Sequence, residues 1–314
     1  MSGLEILGTG RCLPGRCVSN DEMSRMVDTS DAWISTRTGI RQRYFCEAGE
    51  TNASLAATAA RRAMEKAGVG AAQIGLCVAA TFTPDYASPS LACEVQAALG
   101  LPEVVPCFDV NAACTGFLVA LETARCFLLG GNVPAPCALV IGSEKLSGVL
   151  DFSDRSTCVL FGDGAGAAVV RLAPNMPYAA AFGSRGDASI LHVGAPGADH
   201  TLHMDGPAVF RFAVDTIPLC IEAVLGKAGL EMAQIDHVVC HQANSRIIAH
   251  VVKKLEENPA KFYENMQRYG NTSSASIPIA LDEMLDTGRI LPGQNVLCVG
   301  FGAGLTWGGV LFRF

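Results

Sequence analysis

Two stretches of this sequence, 66–80 and 227–241, align with each other without a gap. Both begin with Lys-Ala-Gly, continue through Ala-Gln-Ile at the same spacing, and end in an apolar run. A glycine that follows a helical pattern is typical of a helix end, and a short apolar run after a polar loop is typical of a buried strand. Because a unit that occurs twice indicates duplication, the sequence predicts two related halves.

Further segments follow these units in the same order. Small residues at 112–117 and at 271–276 each precede a helical pattern, and an apolar strand ending in glycine comes next, at Gly142 and at Gly300. Strands and helices that alternate in this way predict an α/β fold. The sequence therefore predicts duplicated α/β halves that pack against each other.

The pattern is interrupted at Arg171-Leu-Ala-Pro-Asn-Met-Pro, where two prolines lie close together. Prolines of this kind punctuate regular structure, so we divide the chain into halves 1–172 and 173–314. No low-complexity linker separates them, and we therefore expect a shared interface.

The composition narrows the classes of protein that this chain can form. Half of the residues are hydrophobic (50%) and 33 are glycine, which suits a large core of buried strands. The net charge of -7 argues against nucleic-acid binding. No uninterrupted apolar run reaches the ~18–20 residues of a membrane span, and the N-terminal sequence lacks the pattern of a secretory signal. We expect a cytoplasmic protein that binds neither nucleic acid nor a membrane.

The sequence contains 13 cysteines, an odd number, without a C-x-x-C pair or a cysteine–histidine cluster at zinc spacing. Several lie in apolar strand patterns, such as Cys77 and Cys298, where a thiol behaves as a small buried hydrophobe. We therefore predict reduced cysteines, no metal site and no cofactor. A nucleophilic cysteine has to be recognised by its surroundings.

Cys114 has such surroundings. It lies where the strand pattern that ends near Asn111 gives way to the helical pattern 117–128. Unpaired N–H groups and the dipole at a helix N-terminus favour a thiolate, and a thiolate is well suited to acyl transfer. From the local sequence alone, one more buried structural cysteine is an equal alternative.

The second half contains the residues that a nucleophilic cysteine needs. His241 lies at the end of an apolar strand pattern, where side chains open onto a crevice, and Asn271 lies in a tight polar turn before a helix. An ordinary helix cap is the alternative for Asn271. The glycine-rich segment 300–308 is either a plain turn or a loop whose N–H groups stabilise an oxyanion.

These segments closely resemble the active-site blocks of the 3-oxoacyl-[acyl-carrier-protein] synthase III family. They occur in the family's order and extend over almost the whole chain. The blocks are Trp33-Ile-Ser-Thr-Arg37-Thr-Gly-Ile, Ala113-Cys114-Thr-Gly-Phe, Asp154-Arg155, Leu160-Phe-Gly-Asp-Gly-Ala-Gly, His241-Gln-Ala-Asn244, Tyr269-Gly-Asn271-Thr-Ser and Gly300-Phe-Gly-Ala-Gly-Leu-Thr-Trp-Gly. The resemblance implies a thiolase fold, which is a five-layered αβαβα sandwich of two duplicated halves, and a homodimer.

The resemblance also implies a reaction in two stages. Cys114 takes an acyl group from acyl-CoA, and its N–H together with that of Ala303, or of Gly304 as second choice, holds the oxyanion. Malonyl-acyl carrier protein then loses carbon dioxide, and the enolate attacks the acyl-enzyme in a decarboxylative Claisen condensation. His241 and Asn271 stabilise the enolate.

Two groups of residues are assigned to partners by the same resemblance. The CoA-binding residues are Trp33, Arg37, Arg155, Phe210 and Asn244. The acidic carrier protein needs a basic surface, and the basic face of the amphipathic segment 246–255 is the candidate. Its residues are Arg246, Lys253 and Lys254, with Arg211 as a further contributor.

Other functions compete with this one. A related acyltransferase or condensing enzyme of specialised metabolism would use the same Cys-His-Asn site. A Cys-His-Asn hydrolase shares the residue types, although no protease-type context surrounds Cys114. A nucleotide-binding module at 160–167 lacks the G-x-G-x-x-G spacing, and a scaffold without activity has no need of all three residues.

Overall fold

A computed structural model describes residues 2–195 and 199–314. The strands in the described part are β1 (Ser2–Cys12), β2 (Arg16–Ser19), β3 (Gln42–Phe45), β4 (Ile74–Ala80), β5 (Cys107–Val110), β6 (Cys137–Glu144), β7 (Gly164–Pro174), β8 (Tyr178–Ser184), β9 (Leu191–Val193), β10 (Leu202–Met204), β11 (His237–Cys240), β12 (Asn295–Gly302) and β13 (Thr306–Arg313). The helices are α1 (Asn20–Met23), α2 (Asp31–Thr38), α3 (Asn52–Ala67), α4 (Leu91–Leu99), α5 (Gly116–Gly130), α6 (Gly206–Ala228), α7 (Ser245–Leu255), α8 (Met266–Tyr269) and α9 (Ser276–Asp286).

The strands form two main sheets. The first has the order β1-β7-β6-β4-β5 and the second the order β11-β12-β13-β8. In the first sheet β4 pairs in parallel with both β5 and β6, and β6 continues into the antiparallel pairs β6–β7 and β7–β1. In the second sheet the parallel pair β11–β12 continues into the antiparallel pairs β12–β13 and β13–β8. The chain passes from the first sheet to the second between Pro174 and Tyr178.

Helices cover both faces of each sheet. Helices α3 and α4 pack on the outer face of the first sheet, and α6 and α7 lie beyond the second. Helices α5 and α9 contact both sheets and form the layer between them. Strands β4, β6 and β12 are buried along their whole length, as expected of strands covered on both faces.

The two aligned stretches, 66–80 and 227–241, form equivalent elements of the two halves. Helix α3 is followed by Gly68, a 3-10 turn at Ala71–Gln73 and strand β4, and helix α6 is followed by Gly229, a 3-10 turn at Met232–Gln234 and strand β11. The duplication extends to the central layer, because α5 and α9 each begin with a 3-10 turn, at Ala113–Thr115 and Ser273–Ala275.

A buried carboxylate joins the central layer to the first half. Asp282 of α9 accepts hydrogen bonds from Thr9 Oγ1 at 2.8 Å, from Arg11 Nη1 at 2.5 Å and from Lys66 Nζ at 2.7 Å. A buried charge requires such partners, so this cluster fixes the position of α9 against β1 and α3.

One helical stretch, 113–130, is long and apolar enough to cross a membrane by length and composition alone. Half of it is buried within the protein (50%), because α5 lies between the two sheets. Its apolar character is therefore that of a core helix.

Candidate active site

Cys114 lies at the N-terminal end of the central helix α5, in the 3-10 turn Ala113–Thr115. It is buried, with 9% of its surface exposed. The preceding Ala113 has a φ of +46°, a conformation that costs a residue with a side chain roughly 1–3 kcal/mol. Backbone strain of this kind is common in active sites, where it helps to position a reactive side chain.

The burial of Cys114 favours its thiol form. Burial raises the pKa of Cys114 to about 12, while a hydrogen bond that Ser273 Oγ donates to Sγ at 3.3 Å lowers it and the nearby Glu144 raises it. A helix N-terminus supplies at most about 2 kcal/mol, or roughly 1.5 pKa units, which is less than the effect of burial. The helix terminus favours a thiolate, but the burial of Cys114 has the larger effect and favours the thiol.

Residues 271–276 form the counterpart of this turn in the second half, and we call them the 271–276 turn. Ser273 has a φ of +49°, so the two halves place a left-handed residue at the start of each of these 3-10 turns. The 271–276 turn carries Asn271 and leads directly into the central helix α9.

Asn271 is fixed through its backbone and through one side-chain atom. Its N–H donates to Leu160 O at 2.8 Å, and its carbonyl accepts from Gly162 N at 3.0 Å. The side-chain Oδ1 accepts from Ser273 N at 2.9 Å. Because Oδ1 is engaged in this way, the amide orientation is set and Nδ2 is left as a donor.

His241 follows β11 and is held from the other end of the 271–276 turn. Its N–H donates to Val299 O at 2.8 Å, and its Nδ1 lies 2.7 Å from Ser276 Oγ. Burial lowers the pKa of His241 to about 3, so the ring is neutral near pH 7. A Ser276 hydroxyl that donates to Nδ1 places the single ring proton on Nε2.

The glycine-rich segment runs against the nucleophile. A Cβ atom on Gly302 would lie 2.8 Å from Cys114 N, so only glycine allows this approach. Ala303 and Gly304 follow in the turn to β13, and Ala303 O accepts from Thr306 Oγ1 at 3.1 Å. The segment therefore lies beside Cys114, and the choice of Ala303 or Gly304 as oxyanion donor stays a prediction.

Comparison with known proteins identifies the family. The 3-oxoacyl-[acyl-carrier-protein (ACP)] synthase III model matches residues 108–186, and the model of that family's C-terminal region matches residues 225–314. The beta-ketoacyl-[acyl-carrier-protein] synthase III of Bordetella petrii is 47% identical over 98% of this chain and 97% of its own. That of Clostridium acetobutylicum is 44% identical over 100% and 99%.

This chain belongs to the 3-oxoacyl-[acyl-carrier-protein] synthase III family. The solved structure of 3-oxoacyl-[acyl-carrier-protein] synthase III from Aquifex aeolicus VF5 superposes with a TM-score of 0.94 at 42% identity, covering 99% of this chain and 100% of that one. The predicted thiolase fold, with its five layers and duplicated halves, is confirmed by these structural neighbours.

Three of the residues assigned to CoA by the family resemblance lie together on the surface. The guanidinium carbons of Arg37 and Arg155 lie 4.7 Å and 5.3 Å from the centre of the Trp33 ring. A groove of about 510 Å³ opens here, lined by Ala32, Trp33, Thr36, Arg37 and Arg246. An aromatic ring between cationic groups suits a purine and its phosphates.

The other two residues assigned to CoA make packing contacts. Asn244 caps α7 by accepting from Arg246 N at 2.9 Å, and its Nδ2 donates to Arg37 O at 3.1 Å. Phe210 of α6 packs against His250, with ring centres 6.0 Å apart. Asn244 thus connects α7 to the Trp33 groove, and a place for either residue along a pantetheine arm stays a prediction.

The four residues assigned to the carrier protein differ in their surroundings. Arg246 lines the Trp33 groove, so it lies with the CoA residues as well as on the basic face of α7. Lys254 is paired with Asp215 of α6 at 3.2 Å, which reduces the charge it presents. Lys253 and Arg211 are exposed.

Three residues of the site were missed by the sequence analysis. Ser273 contacts Cys114 and Ser276 contacts His241, whereas the sequence patterns singled out only Asn271 in this segment. Buried Glu144 lies behind them at the end of β6. The sequence does contain a signal for Ser273 and Ser276, because segment 271–276 has more small polar residues than one helix cap requires.

We predict that the reactivity of Cys114 follows a high pKa. Its alkylation by iodoacetamide, followed on the Cys114 peptide by mass spectrometry, should rise roughly tenfold per pH unit between about pH 8 and 10, because the thiolate is the nucleophile. A free cysteine derivative serves as control and should level off above its pKa of about 8.5. A Cys114 rate that is already constant below pH 8 would contradict the thiol assignment.

Proposed function

We propose that this protein is a 3-oxoacyl-[acyl-carrier-protein] synthase III, which starts fatty acid synthesis by joining an acyl group from acyl-CoA to malonyl-acyl carrier protein. The observation that carries the proposal is the 271–276 turn. One short segment contacts the nucleophile Cys114, orients His241 and supplies Asn271. The names of relatives with 44–47% identity support the same activity.

In the first stage, Cys114 Sγ attacks the thioester carbonyl of acyl-CoA. The new C–S bond forms first and gives a tetrahedral intermediate, which collapses as the bond to the CoA sulfur breaks, and the thiol proton leaves with CoA. The carbonyl oxygen becomes negative in the tetrahedral intermediate. The N–H of Cys114 and that of Ala303 or Gly304 are the proposed donors to it, and such donors act most strongly in a site without water.

In the second stage, the malonyl group loses carbon dioxide and its thioester oxygen becomes an enolate. His241 Nε2–H and Asn271 Nδ2–H are the two donors free for this charge, because His241 Nδ1 and Asn271 Oδ1 are already engaged. The enolate carbon then attacks the acyl-Cys114 carbonyl, and the Cys114 thiolate leaves. Neutral His241 suits this role, since it donates a hydrogen bond without being consumed.

Separate measurements of the two stages test the proposal. Purified protein is incubated with a panel of straight and branched acyl-CoAs, and the adduct is located by peptide mass. We expect an acyl group on Cys114 that malonyl-carrier protein discharges as a 3-oxoacyl product. H241A and N271A should still accept the acyl group but condense about 100- to 1000-fold more slowly, the usual effect of losing one such donor.

His237 provides the matched control, because it is half-buried on β11 and bonds Gln294 rather than the site. H237A should condense at the wild-type rate. No adduct from any acyl-CoA would overturn the proposal. Transfer of the acyl group from Cys114 to an alcohol or amine, at a rate that does not depend on Asn271, would support a related acyltransferase of specialised metabolism instead. The names of the relatives do not support that alternative.

The proposed CoA site is the Trp33 groove, and the proposed carrier site is the basic face of α7. Adenine would lie on Trp33, with its phosphates near Arg37 and Arg155. The carrier protein would dock on Lys253, Arg246 and Arg211, with a smaller contribution from Lys254 because Asp215 pairs with it. Helix α7 follows His241 after a short loop, so a carrier docked there would have a short path to the site.

Charge-reversal variants of α7 distinguish the site for the carrier protein from the site for acyl-CoA. K253E should raise the KM for malonyl-carrier protein about two- to fivefold and leave the KM for acyl-CoA unchanged, because exposed ion pairs contribute up to ~1 kcal/mol. R246E should raise both values, since Arg246 also lines the Trp33 groove. R61E, on α3 in the opposite outer layer, is the control and should change neither. An equal effect of K253E on both substrates would contradict the assignment.

A homodimer and a location in the cytoplasm complete the proposal. The homodimer is supported by the outer edge of β5, which has no strand partner among the described residues. Half-buried Phe108 and exposed Phe127 lie side by side at this edge, 5.4 Å apart. Unpaired edges with apolar neighbours are favourable surfaces for a second chain.

A further inference from the structure

Glu144 is a buried carboxyl group behind the nucleophile, and the two-stage mechanism does not use it. It is the last residue of β6 and is 0% exposed. No cation lies within ion-pair distance of it in the described part of the chain. A buried carboxylate without a cation is costly, so its hydrogen bonds and its protonation state need an explanation.

The two carboxyl oxygens have different partners. Oε2 accepts from Thr81 Oγ1 at 3.1 Å, from Phe82 N at 3.2 Å and from Thr83 Oγ1 at 2.6 Å. Oε1 lies 2.9 Å from Ser274 Oγ, the middle of the 271–276 turn. Oε2 thus accepts three hydrogen bonds, whereas Oε1 faces the hydroxyl of Ser274.

That hydroxyl has one hydrogen and two acceptors. Ser274 Oγ lies 3.0 Å from Ala80 O as well as 2.9 Å from Glu144 Oε1. If Glu144 carries a proton on Oε1, it donates to Ser274 Oγ, and Ser274 in turn donates to Ala80 O. Both contacts of Ser274 Oγ are then full hydrogen bonds, whereas with an ionised Glu144 the single Ser274 hydrogen has to serve both Glu144 Oε1 and Ala80 O.

The bond to Ser274 acts directly on the catalytic groups. Ser274 is adjacent to Ser273, which holds a φ of +49° and contacts Cys114 Sγ. It also lies between Asn271 and the Ser276 that orients His241. The turn packs closely on β6, because a Cβ atom on Gly142 would lie 2.4 Å from Ser274 O.

We propose that Glu144 works as a neutral carboxylic acid, a positioning residue that donates its proton to Ser274 Oγ and thereby holds the 271–276 turn against Cys114. The proposal adds a positioning residue to the synthase mechanism. It rests on the proposed synthase function, because that function makes the groups held by the 271–276 turn catalytic. Burial raises the pKa of Glu144 to about 7, even though its hydrogen bonds lower it, so the neutral form is available near neutral pH.

The surroundings of Glu144 contain few other groups that titrate. Cys114 faces it from the 3-10 turn before α5, and a negative charge on Glu144 raises the pKa of Cys114. Lys145 is adjacent in sequence but turns its Nζ to Glu50 O, and Asp85 caps α3 through backbone N–H groups. The loop Thr81–Thr83 and the 271–276 turn contribute no titratable side chain to it. Ionisation of Glu144 should therefore act mainly on Cys114 and on the turn.

The neutral form of Glu144 predominates below a pH of about 7 and is lost above it. Because the charged form raises the pKa of Cys114, the thiolate fraction of wild-type Cys114 at high pH should be smaller than it would be with Glu144 neutral, and Cys114 should react more slowly there. Glutamine at this position keeps the shape of the neutral acid, with an N–H for Ser274 and an oxygen for the three donors, and it never ionises.

The test compares E144Q, E144L and the wild type by Cys114 alkylation and by condensation rate across about pH 6 to 9. We expect E144Q to match the wild type within about threefold near pH 6 and to exceed it by about threefold or more near pH 9, where only the wild type carries the charge. E144L removes one hydrogen-bond partner from each of four groups and should lower the condensation kcat at least about tenfold with an unchanged KM for acyl-CoA.

Parallel pH profiles of E144Q and the wild type would overturn the proposal, and so would an E144Q as slow as E144L. If E144L does not fold, the comparison of E144Q with the wild type decides alone. Alkylation needs no acyl donor, so its outcome is independent of the synthase assignment. Failure of the synthase function would appear as a wild type that takes no acyl group, whatever the alkylation profiles are.

Discussion

The contacts of the 271–276 turn are the interaction on which the site depends. Ser273 reaches Cys114 in the first half, Ser276 reaches His241 in the second, and Asn271 is part of the turn itself. A displacement of this turn would therefore disturb all three groups together. Because such short hydrogen bonds are directional, the turn fixes orientation as well as distance, and preorganised donors are what the enolate and the oxyanion need.

The duplicated architecture explains how the strained 271–276 turn is kept in its conformation. Each half supplies a strand, a left-handed residue and a helix that runs through the central layer, and the two strained residues, Ala113 and Ser273, occupy equivalent positions. The surrounding packing has to oppose the strain. It does so with the two covering sheets, with the cluster around Asp282 that ties α9 to β1 and α3, and with Glu144 beneath the turn.

The duplicated fold was predictable, because it is encoded in a repeated helix–glycine–strand unit. Cys114 and His241 stand out by their positions before a helix and after a strand, but the local sequence left a structural cysteine as an equal alternative. The catalytic roles of Cys114, His241 and Asn271 rest on the family resemblance and stay predictions. The raised pKa of Cys114 was not predictable, since the local sequence shows the helix terminus that favours a thiolate but not the burial that outweighs it. The roles of Ser273 and Ser276 and the position of Arg246 beside Trp33 depend on contacts between distant segments. No spacing along the chain encodes these contacts.

The most direct test of this account is a comparison of the two reaction stages in S276A and S276T. We expect S276A to acylate Cys114 normally but to condense roughly 10- to 100-fold more slowly, the range found when a metal-ligating histidine loses the group that orients it. The hydroxyl of S276T should restore the rate. Normal condensation in S276A, or an equal loss in both stages, would contradict the claim that the turn sets the donor state of His241.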